Sequence, residues 1–258
     1  MTPRALLVVT LLGAALPVLA GEIAPSERRS GYDFMSPDTR AMQDDDTANP
    51  AMLSVLDGET LWTTKAGAAN KSCSDCHGEV DVSMRGTAAR FPAFNAASAA
   101  PVDLGQRVNL CRTQHQQAAA FAPESRELLA LTALIAKQSR GLPITAGDDP
   151  RLQPFVARGH QLFFERQGQL NLACTNCHDD NWDKHLAGSS ITQGQATGYP
   201  IYRLEWQGMG SLQRRLRGCM TGVRAQAFDF DAADMIALEL YLMSRAHGMP
   251  LDAPAVRP

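Results

Sequence analysis

The strongest constraint on this chain is a pentapeptide that occurs twice. Cys73-Ser74-Asp75-Cys76-His77 and Cys174-Thr175-Asn176-Cys177-His178 both read C-x-x-C-H. This spacing lets two thiols add to the vinyl groups of one porphyrin while the adjacent imidazole swings beneath the iron. A zinc site or a redox-active dithiol also uses C-x-x-C. Neither explains a histidine directly after the second cysteine in both copies. The copies lie within a longer repeat: Gly58-x-x-Leu61-Trp62 precedes Cys73 by fifteen residues, and Gly159-x-x-Leu162-Phe163 precedes Cys174 by fifteen. Glycine, leucine, aromatic and cysteine therefore share an offset of 101. Similarity at a fixed offset means two copies of one structural unit. Ser139-Arg140-Gly141-Leu142-Pro143 closes one half, and a Ser244-Arg245 pair leading to Met249-Pro250 closes the other.

Helical periodicity fills the repeat. Each unit opens with an amphipathic helix, carrying Met52, Leu53, Leu56, Leu61 and Trp62 in the first and Phe155, Val156, Leu162 and Phe163 in the second. Each ends with another, over 125–140 and 231–245. Leu128, Leu131, Leu134 and Ile135 form one core-facing stripe, and Ile236, Leu240, Tyr241 and Met243 the other. Strand signals are weak. The expected fold is mainly α: two tandem cytochrome-c-like haem domains related by internal duplication, with an irregular N-terminal extension. The expected boundaries are 53–143 and 155–258, joined by a Gly/Pro/Asp-rich linker at 144–154.

The N-terminus sets the compartment. Arg4 precedes an apolar run, Ala5 to Ala20, that ends in small residues. That run falls short of the about 20 residues a membrane span needs. It predicts a secretory signal peptide over 1–20, export to the periplasm and maturation under oxidising conditions. Residues 21–52 are polar and rich in proline, and predict an extension that wraps the first unit or stays mobile. Its acidic run, Asp44-Asp45-Asp46, reads as a solvated patch. A formal charge of −3 argues against a general nucleic-acid binder.

Two cysteines remain, Cys111 and Cys219. A disulfide between them is permitted by the compartment. Their places argue otherwise: each lies between the haem motif and the closing helix of its own unit, and a bridge needs Cα atoms within about 7 Å. A thiolate also serves as an axial ligand to haem iron, so distal ligation of one haem by each cysteine is expected. His115 and Met84 compete in the first unit, and Met209, Met220 and His185 in the second, but none has a counterpart in the other unit. The units are unequal in charge. Arg214, Arg215 and Arg217 precede Cys219, whereas Cys111 has only Arg112 beside it. Three cations would favour the thiolate and bind a small dianion. The alternative is a helix ending at Gly218 with arginines complementing its dipole.

With these features in place, the chain resembles the SoxA family, the A subunit of the bacterial thiosulfate-oxidising complex. The resemblance is carried by Arg215-Leu216-Arg217-Gly218-Cys219-Met220, Asn109-Leu110-Cys111-Arg112, Gly168-Gln169-Leu170-Asn171-Leu172, Gly198-Tyr199-Pro200-x-Tyr202-Arg203-Leu204 and Ala237-Leu238-Glu239-Leu240-Tyr241. It implies an L-cysteine S-thiosulfotransferase with two haem c groups attached through Cys73, Cys76, Cys174 and Cys177. It implies His77 and Cys111 as ligands of the first iron, and His178 and Cys219 of the second. It further implies Cys219 as the catalytic cysteine, carried as a persulfide, and Arg215 as the substrate-binding arginine, with Arg245 a second candidate for that pocket. The implied partners are a SoxX-type monohaem cytochrome and a SoxYZ-type sulfur carrier. The rival readings are a dihaem electron shuttle and a thiosulfate dehydrogenase forming tetrathionate.

Overall fold

The structure is a computed structural model that describes residues 23–258. The expected signal peptide lies outside the described residues. The extension contains α1 (Pro37–Asp44). The first unit follows with α2 (Ala51–Thr63), α3 (Ser74–His77), α4 (Val80–Ser83), β1 (Ala93–Asn95), β2 (Ala100–Val102), α5 (Leu104–Cys111) and α6 (Arg126–Lys137). The second has α7 (Gln153–Phe164), α8 (Cys174–His178), β3 (His185–Leu186), β4 (Ser189–Ser190), β5 (Ile201–Arg203), β6 (Gly208–Gly210), α9 (Leu212–Gly222), α10 (Ala233–Arg245) and β7 (Ala255–Arg257). No helix among the described residues is long and apolar enough to cross a membrane.

The repeated glycine explains the architecture of both units. α2 crosses α6 at Gly58, where a Cβ would lie 2.8 Å from Leu134 Cβ and collide with the Ala130 carbonyl. α7 crosses α10 at Gly159, where a Cβ would lie 2.6 Å from Tyr241 Cβ and collide with the Ala237 carbonyl. Backbone-to-backbone approach at each crossing leaves room for no side chain. The closing helices carry the expected cores, including buried Leu131, Leu134, Ile135, Ile236, Leu240 and Tyr241. The stripe on α2 differs from expectation. Ala51, Val55, Gly58 and Trp62 face inward at helical spacing, whereas Leu53 and Leu56 are exposed.

A second offset, 108, relates the segments that lead to the two extra cysteines. β1 and β2 pair antiparallel, as do β5 and β6 exactly 108 positions later. α5 follows with Asp103 as its N-cap, and α9 with Ser211. The segments that close the units pair with each other. Gly141 N donates to Leu251 O (2.8 Å), Ile144 N to Met249 O (2.9 Å) and Leu251 N to Leu142 O (2.9 Å). The expected linker thus begins inside an inter-unit contact. Beneath it lies a cavity of about 100 Å³ lined by Phe91, Asp103, Tyr199, Gln213 and Glu239 among others. Gln213 Nε2 donates to Asp103 Oδ2 (2.6 Å), tying α9 to the cap of α5.

The extension fastens to the second unit as well as to the first. Arg29 N donates to Gln193 Oε1 (2.7 Å), Val256 N to Gln43 Oε1 (3.2 Å), and Asn49 Nδ2 to Pro254 O (3.3 Å). These side-chain-to-backbone contacts need no apolar pattern, so they left no periodic trace. The acidic run is not merely solvated either. Asp46 bonds Arg140 (2.6 Å) and approaches Lys137 (3.6 Å) at the C-terminal end of α6, where cations and the helix dipole are mutually favourable. β7 adds in parallel to β5, fastening the C-terminal tail beside β5.

Candidate functional site

The second haem motif forms the single-turn helix α8. Ala173 N donates to Asn176 Oδ1 (3.0 Å), which organises its first turn. His178 Nδ1 donates to Thr192 O (2.7 Å), fixing both tautomer and ring plane. Gly194 closes over this ring: a Cβ there would press within 3.2 Å of His178 Cγ and Nδ1. Asp179, next in sequence, accepts a hydrogen bond from Arg245 Nη2 (2.6 Å), and both side chains are almost wholly buried. The Arg245 guanidinium lies 4.6 Å from the Phe163 ring centroid. Its ion pair therefore braces the residue next to His178.

α9 brings Cys219 to the same place. Ser211 caps the helix by accepting from Arg214 N (3.1 Å). The helix continues past Gly218 to Gly222, so it does not end where the dipole-only alternative requires. Residues four apart share a face, and Arg215 stands one turn before Cys219. The Cys219 thiol lies beside the His178 ring. Burial pushes its pKa up, but the neighbouring His178 and the charges of Arg215 and Arg203 outweigh burial and hold it below the ordinary thiol value.

The three-arginine expectation is corrected here. Arg214 donates to Met209 O (3.1 Å) and lies over the Trp206 ring, 4.2 Å from its centroid. Arg217 bonds Phe228 O and lies over the Phe230 ring. Successive helical residues are rotated by about 100°, so only Arg215 of the three shares the cysteine's face. The second cation comes from β5. Arg203 is buried, held by Pro258 O (2.7 Å) and Glu205 (2.6 Å), with its charge felt at Cys219. Tyr199, its pKa pushed up to about 12 by burial, interacts electrostatically with Arg215 and Cys219. Sequence reasoning assigned neither residue a role. The only signal was their shared Gly198-to-Leu204 segment.

The first unit repeats the plan with weaker electrostatics. Cys111 lies near the motif cysteines Cys73 and Cys76. Arg107, four residues earlier, is its nearby cation, yet burial leads and leaves the thiol pKa above its ordinary value. Arg112 is engaged elsewhere, donating to Ala119 O (3.1 Å) over the Phe121 ring. His77 lies beside Trp62, with ring centroids 5.8 Å apart. Cys219 is likewise near Cys174 and Cys177. All six cysteines are free, so the disulfide alternative is not formed. Among the rival ligands, Met220 is buried in the apolar core, Met84 and Met209 pack against the core of the first unit, and His115 and His185 are exposed. Arg245 is held by Asp179, and its charge is felt at Cys174.

The residues fit a haem c group. Each unit offers two thiols and a histidine on one turn, with a further cysteine brought beside them from another helix, and Gly194 leaves the His178 ring uncrowded. The SoxA/TsdA cytochrome c domain matches residues 57–144 and again 158–251. This chain belongs to the SoxA/TsdA cytochrome c family. Its curated relatives include the L-cysteine S-thiosulfotransferase subunit SoxA of Pseudaminobacter salicylatoxidans, 35% identical over 248 residues that cover 94% of this chain and 87% of the relative. The SoxA subunit of Rhodovulum sulfidophilum is 34% identical over 231 residues, covering 90% and 80%. Among solved structures, SoxXA from P. pantotrophus superposes with a TM-score of 0.86 at 33% identity, covering 90% of this chain and 87% of that one. Membership in the SoxA/TsdA family makes this a haem c protein with two cytochrome c domains, as the repeat implied.

Proposed function

We propose that this chain is the SoxA subunit of a thiosulfate-oxidising system, an L-cysteine S-thiosulfotransferase that conjugates thiosulfate to a cysteine of a SoxYZ-type carrier. Two haem c groups are attached through Cys73 and Cys76 and through Cys174 and Cys177. His77 with Cys111, and His178 with Cys219, would hold the two irons. A SoxX-type monohaem cytochrome is the partner subunit and the electron exit. The apolar run at the N-terminus supports a periplasmic location.

The observation that carries this reading is the convergence of Cys219, His178, Arg215 and Arg203 in the second unit. Guanidinium groups hold an oxyanion by charge-assisted, bidentate hydrogen bonds. Arg215, backed by Arg203, holds the sulfonate end of thiosulfate and aims its outer sulfur at Cys219. The carrier thiol loses its S–H bond and forms an S–S bond to that sulfur, releasing one proton and two electrons. Haem c supplies one-electron acceptance, and the partner cytochrome is the oxidant that drains both electrons. His178, fixed by Thr192 O, and Cys219, carried on α9, hold their positions throughout.

Product analysis tests the assignment. With thiosulfate, carrier and an oxidised partner cytochrome, the carrier should gain one thiosulfonate per two electrons. Tetrathionate formed from thiosulfate alone would instead identify a thiosulfate dehydrogenase, and no reaction with thiosulfate an electron shuttle.

A further inference from the structure

The N-terminal extension reaches the loop that holds the second histidine, and a single side chain makes the junction. Gln193 is completely buried. Its Oε1 accepts from Arg29 N (2.7 Å) and its Nε2 donates to Glu27 O (3.0 Å), so both ends of the amide grip the extension backbone. Its own carbonyl faces Arg245 Nη2 (3.4 Å), the group that also holds Asp179 (2.6 Å). The preceding carbonyl, Thr192 O, accepts from His178 Nδ1. A buried amide that satisfies two backbone groups of another segment has no low-cost alternative partner, because an unmade bond there costs the full desolvation of the group. Among the described residues no extension residue bonds the loop beside His77, which lies against Trp62, a residue of the same domain.

We propose that Gln193 is a positioning residue for the second metal centre: it clamps the extension at 27–29 onto the loop that orients His178, so that the extension sets the orientation of the imidazole that would hold that iron. The orientation of a ligating imidazole, and the hydrogen bond at its other nitrogen, tune the iron it binds. The proposal rests on His178 being an axial ligand, as argued above.

The test uses the full-length holoprotein and reads each haem separately by low-temperature EPR and redox titration. Gln193→Ala should shift the g values and midpoint potential of the second haem and leave those of the first unchanged. Arg29→Pro removes the N–H that Gln193 accepts together with the side chain that lies over Trp182, next to an Arg28 whose extended backbone tolerates a following proline; it should reproduce the shift. Arg29→Ala keeps that N–H and should not. Unchanged second-haem signals in Gln193→Ala and Arg29→Pro would overturn the proposal. So would an equal shift of both haems, or a shift in Arg29→Ala as large as in Arg29→Pro. A second haem without a histidine signature in the unaltered protein would refute the ligand assignment itself, a separate failure.

Discussion

The two halves of this molecule share a frame and differ in what surrounds one sulfur. Each has the glycine crossing, the haem motif, a short hairpin, and a capped helix with arginine four residues before cysteine. In the second half the strand position 108 residues beyond Asn95 is Arg203, and the position 108 beyond Phe91 is Tyr199. Cys219 also lies beside its histidine. The outcome is opposite in sign: burial prevails at Cys111 and raises its pKa, whereas cations and His178 prevail at Cys219 and lower it. Duplication supplied two cytochrome c domains, and the second carries Tyr199 and the cation Arg203 where the first has Phe91 and Asn95.

The largest effect should separate the two cysteines. Cys219→Ala should lower carrier conjugation by roughly 10³-fold or more, while Cys111→Ala retains substantial turnover. Equal losses, measured with thiosulfate and carrier, would break the comparison. Next come the paired arginines. Arg215→Ala should raise the thiosulfate KM about 10- to 150-fold, the equivalent of about 1.5–3 kcal/mol for a charge-assisted contact. Arg107→Ala should leave the thiosulfate KM unchanged; a comparable rise would place substrate in the first unit as well.

The haem motifs, the duplication, the closing helices and the place of Cys219 were legible in the sequence. Fixed spacing and long helical periods record them directly. Arg215 was singled out only through the family resemblance; the residues alone offered three arginines, where helix rotation admits one to the cysteine's face. Arg203 was not, because strands of three residues are too short to show alternation and the tail strand β7 that flanks β5 arrives from the far end of the chain. The course of the extension was also hidden. It depends on Gln43, Asn49 and Gln193 meeting backbone groups more than 160 residues away.

A smaller effect concerns the interface between the halves. Glu239 is buried beside Asp103 and Asp231, and its Oε2 has no hydrogen-bond partner. Burial, and then these neighbouring carboxylates, raise its pKa well above the usual value; Asp103 is pushed up to about 6, chiefly by burial. Both groups hold protons that the unfolded chain has released. Their contribution to stability is complete below the unfolded values and is lost as pH rises through the folded ones. Thermal melts should therefore show Tm falling from about pH 4 upward through the Asp103 transition. Glu239→Gln should flatten the alkaline part of that fall and raise Tm at pH 8, by on the order of 2–4 °C for each kcal/mol recovered. An unaltered profile would remove this pair from the linkage between halves.

Low-temperature EPR of the isolated ferric protein tests the central claim, that each half delivers its own cysteine sulfur to iron. Two low-spin signals of the histidine/thiolate type are expected, with Cys219→Ala abolishing one and Cys111→Ala the other. A histidine/methionine signal from either haem, or thiolate signals that survive both substitutions, would contradict it.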